Sequence, residues 1–167
     1  MDVSKHFIPY IVSFLIMTKI KIKTSKIIPY PLLLLADPSE KIVNKYINKC
    51  LVFTAFCEND SPCGVVALLP HDKKTIEIKN MAVAENHQNQ GIGSQLIKFS
   101  IRKAKKLGYG RIEIGTGNSS FGQLYLYQKH GFSIDRIIKD FFVKNYSEKI
   151  MENNLECKDM IVLARKL

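Results

Sequence analysis

The sequence predicts one α/β domain, with antiparallel hairpins in its first half and βαβ-like connections in its second. Three observations carry that prediction. Thr75–Val83, TIEIKNMAV, alternates apolar and polar residues as a half-buried strand does. Residues 92–107 repeat apolar side chains at helical spacing, with Ile92, Leu96, Ile97, Ile101 and Ala104 along one face. Short apolar runs before that helix are split by turn residues, whereas the later ones are split by helical segments.

The chain opens on residues 7–17, FIPYIVSFLIM, which are strongly apolar but too short for a bilayer span. No charge-rich start or small-residue cleavage site frames them as a signal peptide. Residues 1–17 are therefore expected to be an N-terminal extension of uncertain role, with Met17 an alternative start, and residues 18–167 to form the domain. Residues 18–23, TKIKIK, read as an edge strand whose lysines face solvent. Pro31 opens a short apolar helical turn, LLLLA. The following helix is expected to be capped by Asp37, with Pro38 first, where no amide hydrogen is needed, and Glu40 three residues after the cap. Ile42, Val43, Tyr46 and Ile47 give it a buried stripe.

Residues 51–57 and 63–69 form a predicted hairpin across ENDSP, and residues 71–74 turn into the strand Thr75–Val83. There Ile76 and Ile78 face opposite to Glu77 and Lys79 until Asn80 interrupts the pattern, as in a strand that bends or ends its regular pairing. Residues 85–90 are a polar loop, and Gly108 ends the long helix. A strand over 111–115 precedes a helix that starts at Ser119 or Ser120 and runs to about Lys129, where Gly131 ends it. Residues 132–138 are a strand, 139–156 are loop-rich, and 160–164 are a last apolar strand.

Bulk properties narrow the function classes only partly. The 167 residues are 46% hydrophobic, enough for one core. The formal net charge of +10 favours anionic partners, whether nucleic acid, anionic lipid or a phosphorylated small molecule. The basic residues are dispersed and not interleaved with exposed aromatics, so nucleic-acid binding is not expected, nor is stable membrane association. Cys50, Cys57, Cys63 and Cys157 form no CxxC pair and no zinc spacing with a histidine, which leaves no expected metal site. They read as reduced thiols in a cytoplasmic protein.

Gln88-Asn89-Gln90-Gly91-Ile92-Gly93-Ser94 stands between a strand and the long helix. The first turn of a helix leaves amide hydrogens unpaired at the positive end of its dipole, and glycines let a ligand approach them. A phosphate or pyrophosphate fits that arrangement. A Walker A loop would need a lysine that is missing here, and Leu96 stands where a dinucleotide fingerprint needs its third glycine. A purely structural turn is the remaining alternative.

The strand TIEIKNMAV, the loop QNQGIG, the long helix, the strand RIEIGTGN and the segment LYLYQKHGF follow one another in an order similar to the GCN5-related N-acetyltransferase (GNAT) superfamily. Its Gln/Arg-x-x-Gly-x-Gly/Ala signature is matched by Gln88, Gly91 and Gly93, and its tyrosine-then-Gly-Phe element by Tyr127, Gly131 and Phe132. The resemblance covers roughly residues 19–167; residues 140–146, DFFVKNY, match no general signature of the family. It implies a mixed, V-splayed central sheet flanked by helices, with acetyl-CoA as acyl-donor cosubstrate in the opening of the V. The pyrophosphate would meet the amides of Gln90, Gly91, Ile92, Gly93 and Ser94, with Gln88 shaping the loop. The pantetheine arm would lie along Met81, Ala82 and Val83 like an added strand, and Asn118 resembles the family's asparagine near that arm. Lysines on the long helix either attract the 3′-phosphate or form a solvated face.

Acetyl transfer to an amine needs a neutral nucleophile, a polarised carbonyl and a proton for the departing thiolate. Tyr127 resembles the family's thiolate-protonating tyrosine, against the alternative of a packed core ring. The Val83 amide is placed to polarise the carbonyl. Glu77 is the candidate base, with Glu113 in a similar position on the next strand; either also reads as a solvent-facing residue or a site for a cationic acceptor. His87 and His130 read as surface or packing residues. No Cys/His arrangement points to an acyl-enzyme, so direct attack by the amine is expected. The acceptor is expected to be a primary amine of a small molecule or peptide. Phe141, Phe142 and Tyr146, with Asp140 nearby, either receive it on an apolar stem or form a homodimer contact. The rival readings are a CoA-binding regulatory protein without transfer activity and, further off, a nucleic-acid-binding domain.

Overall fold

The computed structural model describes residues 18–58 and 60–167; the extension expected over residues 1–17 lies outside the described residues. Among the described residues the main sheet has seven strands. In chain order these are β1 (Lys21–Thr24), β2 (Leu51–Phe56), β3 (Pro62–Pro70), β4 (Thr75–Val83), β5 (Arg111–Gly117), β6 (Ser133–Ile138) and, after a two-stranded hairpin of β7 (Met151–Glu152) and β8 (Leu155–Glu156), β9 (Met160–Lys166). The strands lie side by side in the order β1-β2-β3-β4-β5-β9-β6, and only the β4–β5 pair is parallel.

Helices cover both faces of the sheet, because β3 is apolar on both sides. Its period of two sends Val66 and Leu68 into a core with Ile92, Leu96, Ile97, Ile101 and Ala104 of α3 (Ile92–Lys106). Val65 and Ala67 go the other way, onto α1 (Tyr30–Ala36) and α2 (Glu40–Tyr46), where Leu33, Val43 and Tyr46 meet them with Val52 and Ala82. Each fully buried leucine or isoleucine there contributes about 1.5–3 kcal/mol of burial free energy.

The cap expected at Asp37 sits two residues later. Ser39 Oγ accepts from the Ile42 amide at 3.4 Å, so Pro38 lies outside the helix and Asp37 ends α1. Asp37 still serves the turn by accepting from the Ser39 amide at 3.2 Å. The loop-rich segment 139–156 contains more order than its mixed sequence suggests: the short α5 (Phe141–Asn145) and the β7–β8 hairpin.

The opening that matters lies at the sheet's centre. β4 and β5 are paired from Thr75 opposite Arg111 to Ile78 opposite Ile114, and no further. β4 has a bulge here, since Leu68 pairs with Ile78 but the preceding Ala67 pairs with Asn80, leaving Lys79 as the extra residue. Asn80 is therefore the position at which regular pairing is interrupted. Beyond it β4 continues beside β3 to Val83 while β5 continues beside β9 to Gly117, and the two halves of the sheet separate as a V.

Candidate active site

A cavity of about 890 Å³ fills this V. One end is the Gln88–Ser94 loop, the sides are Met81–Val83 of β4 and Gly115–Gly117 of β5, and Tyr127 of α4 (Phe121–Lys129) closes the interior. At the other end stand Asp37, Tyr46, Phe141, Phe142 and Tyr146.

The backbone of β4 presents unpaired groups to this space. The Ala84 amide donates to Cys63 on the β3 side, so the main-chain groups of Val83, one residue back, point away from β3 and into the opening. The Val83 carbonyl is met there by Gln88 Nε2 at 3.2 Å, which ties the loop to the strand. Gly91 begins α3 at φ 78°, a left-handed conformation that glycine adopts without strain. The helix's first turn then has amides with no intrahelical acceptor, facing a cavity lined by Gly91, Ile92, Gly93 and Ser94.

Two expected cofactor residues lie behind the lining. Gln90 accepts from Thr18 Oγ1 at 2.8 Å and donates to the Asn86 carbonyl at 3.2 Å, so its side chain props the loop from outside. Asn118 accepts from the Lys158 and Asp159 amides at 2.8 and 2.9 Å and donates to the Glu156 carbonyl at 3.3 Å. It anchors the segment after β8. Ala82 lines the cavity, and its side chain also packs with the α1–α2 core.

Tyr127 is 6% exposed and its ring tilts against Phe132 at 6.4 Å. Burial, with the charge of Glu152 adding to it, pushes its phenol well above the ordinary range, so the proton stays in place at neutral pH. Tyr127 is thus a core ring that also lines the cavity.

Glu77 is not among the lining residues. Its carboxylate takes His71 Nε2 at 2.8 Å and Lys79 Nζ at 3.3 Å. Glu113 is bound by Arg111 at 2.8 Å and Arg136 at 2.8 Å, which holds it well below the usual carboxylate range. His87 lines the cavity with Nδ1 3.8 Å from Cys57 Sγ. His130 meets Ser94 Oγ at 3.0 Å, and burial first, then Lys98, Lys129 and Arg165, lowers its pKa.

The distal end is a network that the sequence did not reveal. Asn80 Nδ2 donates to the Leu33 carbonyl at 3.0 Å and to the Tyr46 hydroxyl at 2.9 Å; Oδ1 has no partner among the described residues. Tyr46 and Tyr146 both donate to Asp37, at 3.5 and 3.1 Å. Burial is the main cause that raises both phenols. Asp140, expected beside the aromatic cluster, does not line the cavity, and Asp37 stands in that place. The cap-like DPSE motif hid Asp37's second role. No group of three or more His, Cys, Asp or Glu able to hold a metal occurs among the described residues, and no helix there is long and apolar enough to cross a membrane.

Residues 27–132 match the model of the Acetyltransferase (GNAT) family. An uncharacterized N-acetyltransferase of Bacillus subtilis, YvbK, is 52% identical over 134 residues, covering 80% of this chain and 86% of that protein. A GNAT family acetyltransferase from Elizabethkingia anophelis, solved with acetyl-CoA bound, superposes with a TM-score of 0.86 at 52% identity, over 89% of this chain and 98% of that one. A Bacillus subtilis acetyltransferase in complex with CoA gives a TM-score of 0.85 at 47% identity, over 89% and 99% of the two chains.

Proposed function

The chain belongs to the acetyltransferase (GNAT) family, and on that premise we propose that it transfers the acetyl group of acetyl-CoA directly to a primary amine of a small molecule or peptide. N-acetyl transfer with acetyl-CoA as donor is the activity of the family it matches and of its relatives' descriptions. The observation that carries the finer reading is one continuous cavity. It joins the amide-rich turn at Gly91–Ser94 to Tyr127 and then to an aromatic, carboxylate-bearing end.

The residues fit acetyl-CoA. A pyrophosphate suits the first-turn amides of α3, where the helix dipole favours negative charge. The outward main-chain groups of Met81 and the Val83 amide suit the amide-bearing pantetheine arm, which would extend β4 as a further strand. The Val83 amide would polarise the thioester carbonyl, and Tyr127 would give its proton to the departing sulfur. Glu77, paired off the cavity wall, supports a role in holding Lys79 better than the base role expected for it.

The test is isothermal titration of CoA followed by an assay of CoA release from acetyl-CoA with a panel of amines. CoA binding with amine-dependent release supports the reading. Absence of CoA binding overturns it. Binding without turnover on any amine favours the regulatory alternative.

A further inference from the structure

Among the described residues two carboxylates line the cavity, and their surroundings differ. Asp37 accepts from the Ser39 amide and from the phenols of Tyr46 and Tyr146, which uses both of its oxygens. Glu152 accepts one hydrogen bond, from Ser120 Oγ to Oε2, and Oε1 has no partner among the described residues. The hairpin that carries Glu152 is fixed. Asn153 Nδ2 donates to the Ser119 carbonyl at 2.8 Å, the Cys157 amide to the Ile150 carbonyl at 2.8 Å, and Asn118 holds the far end. Glu152 and Tyr127 line the same cavity.

Resting on the amine-acetylation reading, we propose that Glu152 is the catalytic residue that receives the acceptor's ammonium group and removes its proton, oriented by Ser120. The acceptor is a monoamine on an uncharged, apolar stem. The walls beyond Glu152 are Leu35, Ile42, Phe141, Phe142 and Tyr146, which suit such a stem. A second ammonium would find Asp37 already taken by phenols. A carboxylate-bearing amine would find Lys79 paired with Glu77. Tyr127 of α4 and Cys157 after β8 line the same cavity as Glu152, while Lys149 and Lys158 are paired with Glu156.

The proton balance closes. Glu152 takes one proton from the ammonium, and the freed lone pair forms the C–N bond as the C–S bond breaks. The thiolate takes the Tyr127 proton. Tyr127 recovers one from the newly acylated nitrogen, and Glu152 releases its own to solvent.

The test measures CoA release with 2-phenylethylamine, n-hexylamine, spermidine and L-phenylalanine, beside CoA titration, for the wild type and Glu152→Gln. We expect kcat/KM for the two monoamines at least ~10-fold above spermidine and L-phenylalanine. Glu152→Gln is expected to lower it by ~100-fold, with CoA affinity kept. Wild-type turnover in Glu152→Gln, or a wild type that binds CoA but uses neither monoamine, overturns the proposal and leaves the acetyl-CoA reading standing. Loss of CoA binding by the wild type overturns both. If Glu152→Gln itself cannot bind CoA, Ser120→Ala decides: kcat lowered ~10-fold with CoA affinity and amine KM kept supports the assignment, and an unchanged kcat overturns it.

Discussion

Tyr146 donates its phenol hydrogen to Asp37 at 3.1 Å, joining side chains 109 positions apart across the distal end of the cavity. The bond ties the segment after α5 to the α1–α2 turn, so it shapes the acceptor end without touching the reacting atoms. Tyr146→Phe should raise the KM for 2-phenylethylamine several-fold while kcat stays near wild type. It should cost about 0.5–1.5 kcal/mol in urea denaturation, the usual worth of one hydrogen bond.

Tyr127→Phe separates the two readings of that ring. Its hydroxyl accepts or donates no hydrogen bond among the described residues and lies on the cavity wall, so folding stability and CoA affinity should stay close to wild type. Turnover should fall by ~100-fold, as expected for a lost general acid. Steady-state kinetics with an unchanged melting temperature would establish the role; unchanged turnover would make Tyr127 a packing residue.

Gly91→Val tests the turn. A β-branched residue at φ 78° costs about 1–2 kcal/mol of backbone strain, and the turn can relieve it only by moving the first amides of α3. CoA affinity by titration should therefore drop ~10-fold or more, while the distal network is unaffected.

Stability should fall in two steps as the solution is acidified. His130 has a folded pKa below its ordinary 6.5, so its contribution is complete above that pH and is lost as pH falls through the lowered value. Glu113, lowered mainly by its hydrogen bond from Arg136, contributes fully above 4.5 and loses that contribution as pH falls through its own depressed value. Chemical denaturation between pH 7.5 and pH 3 should show both losses, and Glu113→Gln should remove the second.

The strands, the long helix and the glycine turn were legible because each is written in local periodicity: Ile76 and Ile78 alternate with Glu77 and Lys79, and Ile92 and Leu96 share a helix face. Asn80 could be read as an interruption, since a bulge breaks alternation. The distal network was not legible. Asp37 reads locally as a helix cap, and only the tertiary fold brings Tyr46, Asn80 and Tyr146 around it. Glu152 was hidden for the same reason, in a two-residue strand with no period to detect. Glu77 shows the reverse: its strand position is visible in sequence, but the His71 and Lys79 pairing is not. Glu77→Gln should accordingly leave turnover close to wild type.

The separation of β4 from β5 has a consequence for the life of the protein before it meets its ligand. Beyond Ile78 the β5 side of β4 has no strand partner, in the middle of the molecule rather than at a sheet margin. That side of the strand could pair with another chain's backbone, and a CoA-like ligand would cap it. Occupancy at a hundred times the dissociation constant would add about 2.7 kcal/mol to folding stability by mass action. Resistance to urea and to added protease should then rise with CoA concentration, apart from how fast the protein turns over.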